Sequence, residues 1–266
     1  MKLSGLIAGL LFATANARAA EWVDNAAITR AFKDAGVTGT LVVYDVTADR
    51  FTVHNRARAN VRYFPASTFK VPNTLIGLTV GSVSGVDQVL PYGGKPQRFK
   101  AWEQDMHLRD AIKVSNVPVY QELARRTGAK RMREELAKMD YGNGDIGTVV
   151  DDFWLVGPLA ISAVEQARFQ AKLAQDQLPF PKHAMATTRE LVLIEKTAGY
   201  SLYGKTGWTD TGKPDIGWWT GWVQKGERVY AFALNIDIVD DADAGKRLPL
   251  GRASLSALGI LPEARK

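Results

Sequence analysis

Two polar side chains stand where the surrounding pattern calls for apolar ones. In the run from Pro65 to Leu78, Ser67 and Lys70 are three residues apart. A serine just after a proline marks a helix entry, with Ser67 as N-cap or first-turn residue. That spacing puts Lys70 one turn above Ser67 on the same face. Phe64, Phe69, Val71, Leu75 and Ile76 make the neighbourhood apolar. An ammonium held there without a carboxylate loses hydration, and its pKa falls. A lysine kept uncharged beside a serine hydroxyl is one way to activate a nucleophile. The same residues would also serve as a helix cap followed by a surface lysine, so the pair alone decides nothing.

Four further stretches keep it company. Ser115-Asn116-Val117 lies at a helix break ending in Pro118, where a hydroxyl can be aimed into a cleft instead of along a helix. By itself it is more often a C-cap serine. Tyr141-Gly142-Asn143 overlaps a Gly-x-Gly-x-x-Gly match at Gly142, Gly144 and Gly147. A helical stretch, Arg131 to Met139, precedes it where a dinucleotide site needs a strand, so it reads as a turn. Phe153-Trp154-Leu155 reads as core, but a buried Trp N–H needs an acceptor. Lys205-Thr206-Gly207 ends a strand begun at Tyr200, with Trp208 following. It can present an ammonium, a hydroxyl and an unobstructed backbone edge to an anion.

The elements that must hold these groups follow from periodicity. Gly39 to Val46 and Arg50 to Asn55 are β-rich runs around Thr47-Ala48-Asp49, a hairpin. The chain from Leu108 to Met139 is helical, broken at residues 115–118 and at Gly128. Ser162 to Gln175 is an amphipathic helix with Ser162 as N-cap and Glu165 completing a capping box. Tyr200–Tyr203, Gly217–Val223 and Val229–Asp237 are strands, the last two a hairpin around residues 224–227. A closing helix runs from Leu250 to Leu258. Strands at both ends and helices between them predict an α/β chain of the α+β kind, with one antiparallel sheet built from the two termini. The sheet part is expected at residues 20–60 and 186–266, and an inserted helical part at 61–185.

At 266 residues, with 46% hydrophobic and 23% charged side chains, the chain has the make-up of a soluble globular protein. Met1-Lys2, the apolar Leu3 to Ala15 and Ala17-Arg18-Ala19 form an export signal with cleavage after Ala19. The mature chain is then residues 20–266, exported to a bacterial periplasm, with no membrane span left after signal removal. It keeps 32 basic against 28 acidic residues, a net charge of +4. No Lys/Arg run with interleaved aromatics appears, which argues against nucleic acid. The mild positive field suits a small anionic substrate. There is no cysteine, so thiol catalysis is excluded and core packing must hold the fold. His54, His107 and His183 show no ligand spacing, and no Gly-x-Ser-x-Gly elbow exists for a histidine to serve. No metal is expected.

Taken in this order in an exported chain, these motifs resemble the class D serine β-lactamases, the oxacillinases, over essentially the whole mature chain. Class A enzymes and penicillin-binding proteins share Ser-x-x-Lys and Lys-Thr-Gly, but Ser115-Asn116-Val117 is not the Ser-Asp-Asn of class A. The resemblance implies the serine β-lactamase and transpeptidase fold, and hydrolysis of a small-molecule β-lactam through an acyl-enzyme on Ser67. It implies that Lys70 is carbamylated by CO2 or bicarbonate, as N6-carboxylysine, with no separate cofactor. Phe69, Val117, Trp154 and Leu155 would keep that pocket dry, and the Trp154 indole would bond the carbamate. Lys70 then acts as general base for Ser67 and for the hydrolytic water. Ser115 links Lys70 to Lys205. The oxyanion hole is expected from the backbone N–H groups of Ser67 and Trp208. Lys205, Thr206 and Gly207 line the substrate's place. Arg247 is expected to bind its carboxylate, preferred to Arg252 by distance from the Leu261-Pro262 end, although the sequence leaves the choice between the two open. Val156 departs from the acidic residue many relatives carry there, and Trp208 is bulkier than in some.

Two readings compete with turnover. One is a penicillin-binding or β-lactam-sensing domain that stays acylated, from which Trp154, Val117 and Leu155 distinguish it. The other is an exported anion-binding module, which leaves the pairing of Ser67 with Lys70 unexplained. Oligomeric state and substrate spectrum are not legible in the chain.

Overall fold

The computed structural model describes residues 20–263; the export signal expected at residues 1–19 lies outside them. The chain opens with β1 (Glu21–Asp24), α1 (Ala26–Ala35), β2 (Gly39–Asp45), β3 (Arg50–His54) and α2 (Arg56–Ala59). A 3-10 turn (Ala66–Phe69) leads into α3 (Lys70–Thr79). A short ribbon of β4 (Val89–Leu90) and β5 (Met106–His107) precedes α4 (Leu108–Ala111), α5 (Val117–Thr127) and α6 (Ala129–Met139). After a turn-rich stretch come α7 (Ala163–Ala174) and α8 (Lys182–Leu191), then β6 (Leu193–Lys196), β7 (Ser201–Trp208), β8 (Asp215–Lys225), β9 (Arg228–Ile238) and α9 (Arg247–Ala257).

Seven strands form one sheet in the order β1-β3-β2-β9-β8-β7-β6. The pairing of β2 with β9, from Gly39 against Ile236 to Asp45 against Tyr230, joins the two ends of the chain. The sheet is antiparallel as expected except at one edge, where β1 runs parallel to β3. The helix α1 lies between β1 and β2, so β1 returns to the sheet by a crossover and not by a hairpin. The strand β1 and the helices α1 and α8 have no counterpart in the sequence reading.

The run Gly217-Trp218-Trp219-Thr220-Gly221-Trp222-Val223 has no polar alternation because both faces of β8 are covered. Trp219 and Val223 point toward α1 and α9, among Phe32, Phe232, Leu234 and Leu255. Trp218 faces Val42, Ala163 and Ala167 under α7, and Trp222 joins the large helical core around Leu75, Tyr120 and Leu123. These three indoles are essentially fully buried. Each removes enough apolar area to contribute roughly 4–6 kcal/mol before entropy is charged. The helix α7 packs on the sheet itself, and the boundary drawn at 185/186 falls inside α8. Its start is as expected: Ser162 Oγ accepts from the Glu165 N–H at 3.2 Å, and the Glu165 carboxylate accepts from the Ser162 N–H at 2.9 Å.

Candidate active site

Ser67 does not cap a helix. It sits in the 3-10 turn, Pro65 occupies the cap position without a side-chain bond, and Lys70 opens α3. Two helical turns of different pitch therefore meet at the pair, and the i to i+3 relation survives because a 3-10 turn stacks residues three apart. Lys70 Nζ lies 3.0 Å from Ser67 Oγ. The lysine is 1% exposed, and its nitrogen stands 5.3 Å from the Tyr120 ring centroid. Burial, and then the charge of Lys205, hold its pKa well below the usual lysine range. The turn is anchored by the Ala66 N–H donating to Trp154 O at 2.9 Å, and Ala66 itself has φ +48°. A non-glycine residue in that region costs about 1–3 kcal/mol and persists only where its surroundings impose it.

Ser115 carries the same signature, with φ +57° at the break between α4 and α5. Asn116 caps α5 by accepting from the Val119 N–H at 3.1 Å, while its own amide donates to Trp102 O at 3.3 Å. The strained serine is thus clamped, and its Oγ accepts from Lys205 Nζ at 3.0 Å. The structural part of Asn116 was missed in the sequence, although an asparagine two residues before proline is itself a helix-start signal.

Lys205-Thr206-Gly207 lies inside β7 and not at its end, because β8 keeps pairing as far as Trp208 against Gly217. The other edge of β7 is covered by β6 only as far as Tyr203, with Gly204 N–H donating to Val192 O at 2.8 Å. Strand alternation sends the N–H groups of Thr206 and Trp208 out of the same edge. Gly207 brings that edge against the nucleophile turn: a Cβ there would stand 3.0 Å from Pro65 O and 3.1 Å from Thr68 Cγ2.

Lys205 is 7% exposed, and burial, then Arg247, lowers its pKa to about 7. Burial also lowers Arg247, to about 10. Arg247 is the first residue of α9, which starts earlier than its apolar pattern suggests; its guanidinium bonds Ala244 O and Gly207 O at 2.6 and 2.5 Å. Arg252, the other candidate, turns away to pair with Glu195 at 2.7 Å. Lys70, Lys205 and Arg247 thus bond to hydroxyl and carbonyl oxygens, with no carboxylate partner to any of the three among the described residues.

A cleft of about 520 Å³ gathers these groups: Ser67, Ser115, Val117, Leu155, Thr206, Gly207, Trp208 and Arg247 all line it. Trp154 is fully buried behind, stacked on Phe69 at 5.4 Å, and its Nε1 has no acceptor among the described residues. Tyr141-Gly142-Asn143 does not reach the cleft. It is a turn that bonds the 158–161 segment, Asn143 donating to Pro158 O at 2.8 Å and accepting from the Ala160 N–H at 3.0 Å. Of the histidines, His107 caps α4 and His54 bonds Thr29. Among the described residues no cluster of three or more potential metal ligands occurs.

A serine hydroxyl on a turn that holds Ala66 in a strained conformation, one turn from a buried lysine and beside a strand carrying an ammonium, defines an acyl-transferring serine enzyme of the transpeptidase kind. The penicillin binding protein transpeptidase domain matches residues 35–255 of this chain. β-Lactamase OXA-5 of Pseudomonas aeruginosa is 39% identical over 95% of this chain and 96% of its own. β-Lactamase OXA-48 of Klebsiella pneumoniae is 37% identical over 92% of each. The crystal structure of FUS-1 (OXA-85), a class D β-lactamase from Fusobacterium nucleatum subsp. polymorphum, superposes with a TM-score of 0.86. It is 41% identical and covers 90% of this chain and 99% of that one. The chain belongs to the class D β-lactamase family.

Proposed function

We propose that this protein hydrolyses β-lactam antibiotics through an acyl-enzyme on Ser67. The observation that carries the reading is Lys70 Nζ, buried and 3.0 Å from the Ser67 hydroxyl. Ser67 Oγ attacks the lactam carbonyl carbon as its proton passes toward the Lys70 side chain. The carbonyl oxygen turns toward the N–H groups of Ser67 and Trp208, the latter aimed off the open edge of β7. The ring C–N bond breaks, and the leaving nitrogen takes a proton by way of Ser115, which bridges toward Lys205. The substrate carboxylate lies against Lys205, Thr206 and Arg247. Water then attacks the ester carbonyl carbon, its proton received at the Lys70 position, and the acyl C–Oγ bond breaks as Ser67 Oγ takes that proton back.

Carbon dioxide added to Lys70 would supply a carboxylate base at that nitrogen. The residues present fit it: the amine is held toward its uncharged form, the form that attacks CO2, and Trp154 Nε1 is a buried donor without an acceptor. Such a donor costs about 1–3 kcal/mol unless satisfied. Val117 and Leu155 exclude water around it. Residues 1–19 serve as a signal that directs the chain to the periplasm.

The test is steady-state hydrolysis of benzylpenicillin with and without added bicarbonate. Wild type should turn over, Ser67→Ala should not acylate, and Lys70→Ala should accumulate acyl-enzyme. Trp154→Phe should become bicarbonate-dependent. A single stoichiometric burst without turnover in either condition would mark a sensor instead.

A further inference from the structure

One cation lining the cleft takes no part in the chemistry above. The Arg98 guanidinium stands 5.0 Å from the centroid of the Trp208 ring and 5.4 Å from that of Phe99. Phe99 is braced edge-on by Trp102 at 4.8 Å, and Trp102 Nε1 donates to Val114 O at 2.9 Å. Trp208 is held in turn by Asp215, which accepts from its Nε1 at 3.2 Å. Two fixed aromatic faces therefore keep the guanidinium at the cleft. Its charge is met by Asp210, Nη1 to Oδ2 at 3.1 Å, from the loop after β7. Asp210 is the single carboxylate among the described residues that line the cleft.

The partnership is loose. The two side chains are 45% and 60% exposed, and exposed ion pairs of this kind hold weakly and are screened by salt. The rings stay when the carboxylate leaves, so Arg98 is a pre-positioned fork whose oxygen partner can be exchanged. The carboxylate next to the lactam ring is already claimed by Lys205 and Arg247, so a second anionic group on a substrate would find Arg98.

We propose that Arg98 forms a second anion subsite of the cleft, covered by Asp210 until a β-lactam bearing an additional carboxylate on its side chain displaces it. The proposal rests on the β-lactam reading above and names a substrate class for it, the dicarboxylate penicillins. Asp210 acts as an internal competitor, so the two residues should push selectivity in opposite directions.

The experiment measures acylation rate constants, by mass of the intact protein, for benzylpenicillin and for its analogue with an α-carboxylate on the side chain. The quantity read is the ratio of dicarboxylate to monocarboxylate. Arg98→Ala should lower that ratio about fivefold, the scale of one exposed charge contact. Asp210→Asn should raise it by a similar factor, and moderate salt should shrink the wild-type ratio toward that of Arg98→Ala. A ratio that stays put in both variants, or moves the same way in both, overturns the subsite while leaving Ser67 acylation standing. Absence of acylation by either compound overturns the subsite together with the reading beneath it.

Discussion

Lys205 and Lys70 are both buried and both held toward neutrality, yet the proposed chemistry asks opposite things of them. Lys70 must lose its proton to work, whereas Lys205 must keep one to hold a carboxylate. With Lys205 lowered to about 7 in the enzyme without substrate, kcat/KM for a carboxylate-bearing substrate should fall as pH rises through about 7. Lys205→Arg, which stays charged, should move that alkaline limb upward. A pH–rate profile with the same limb in both would remove Lys205 from carboxylate binding. Stability runs the other way. Between about 7 and 10.5, the ordinary value for lysine, the unfolded chain binds the proton that folded Lys205 has lost, so unfolding free energy rises with pH across that window.

At the scale of elements, the site is a meeting of three segments: the 3-10 turn before α3, the break before α5, and the open edge of β7. Gly207 sets how closely the first and last approach. Gly207→Ala would push a methyl to 3.0 Å from Pro65 O, and no flexible side chain can yield there. Displacing the nucleophile turn by a fraction of an ångström should lower kcat/KM about tenfold or more, with the far-ultraviolet circular dichroism unchanged. Activity within twofold of wild type would show that the edge is not set by this contact. Much of this level was legible: the breaks at Ser115 and Gly128, the Ser162 capping box and the β8–β9 hairpin all follow from local signals. The strand β1 and the helix α8 escaped because nothing local selects them. Glu21–Asp24 is a four-residue edge strand that exists only because β3 offers it a parallel partner. Lys182–Leu191 starts without a side-chain cap, and α3 and α7 pack against it.

For the molecule as a whole, pairing β2 with β9 makes the two chain ends one sheet, and the nucleophile turn rests against that sheet's open edge. The mature net charge is small, but buried Lys205 and Arg247 set positive charge beside one cleft, bonded there to hydroxyl and carbonyl oxygens. Association of anionic β-lactams should therefore be steered, and kcat/KM should drop several-fold as ionic strength rises from about 0.05 to 0.5 M while kcat holds. A flat salt dependence would mean that the cations act only on contact.

The pairing of Ser67 with Lys70 was legible in the sequence because an i to i+3 relation is fixed by local backbone geometry. The family was legible as a resemblance carried by that pair together with Ser115-Asn116-Val117, Tyr141-Gly142-Asn143, Trp154 and Lys205-Thr206-Gly207. Which arginine faces the cleft, that Ala66 and Ser115 are strained, and that Arg98 lies between two rings were decided only by tertiary structure. Those facts depend on contacts between segments far apart in the chain, and side-chain spacing carries no record of where α9 will dock or which loop will cross which wall.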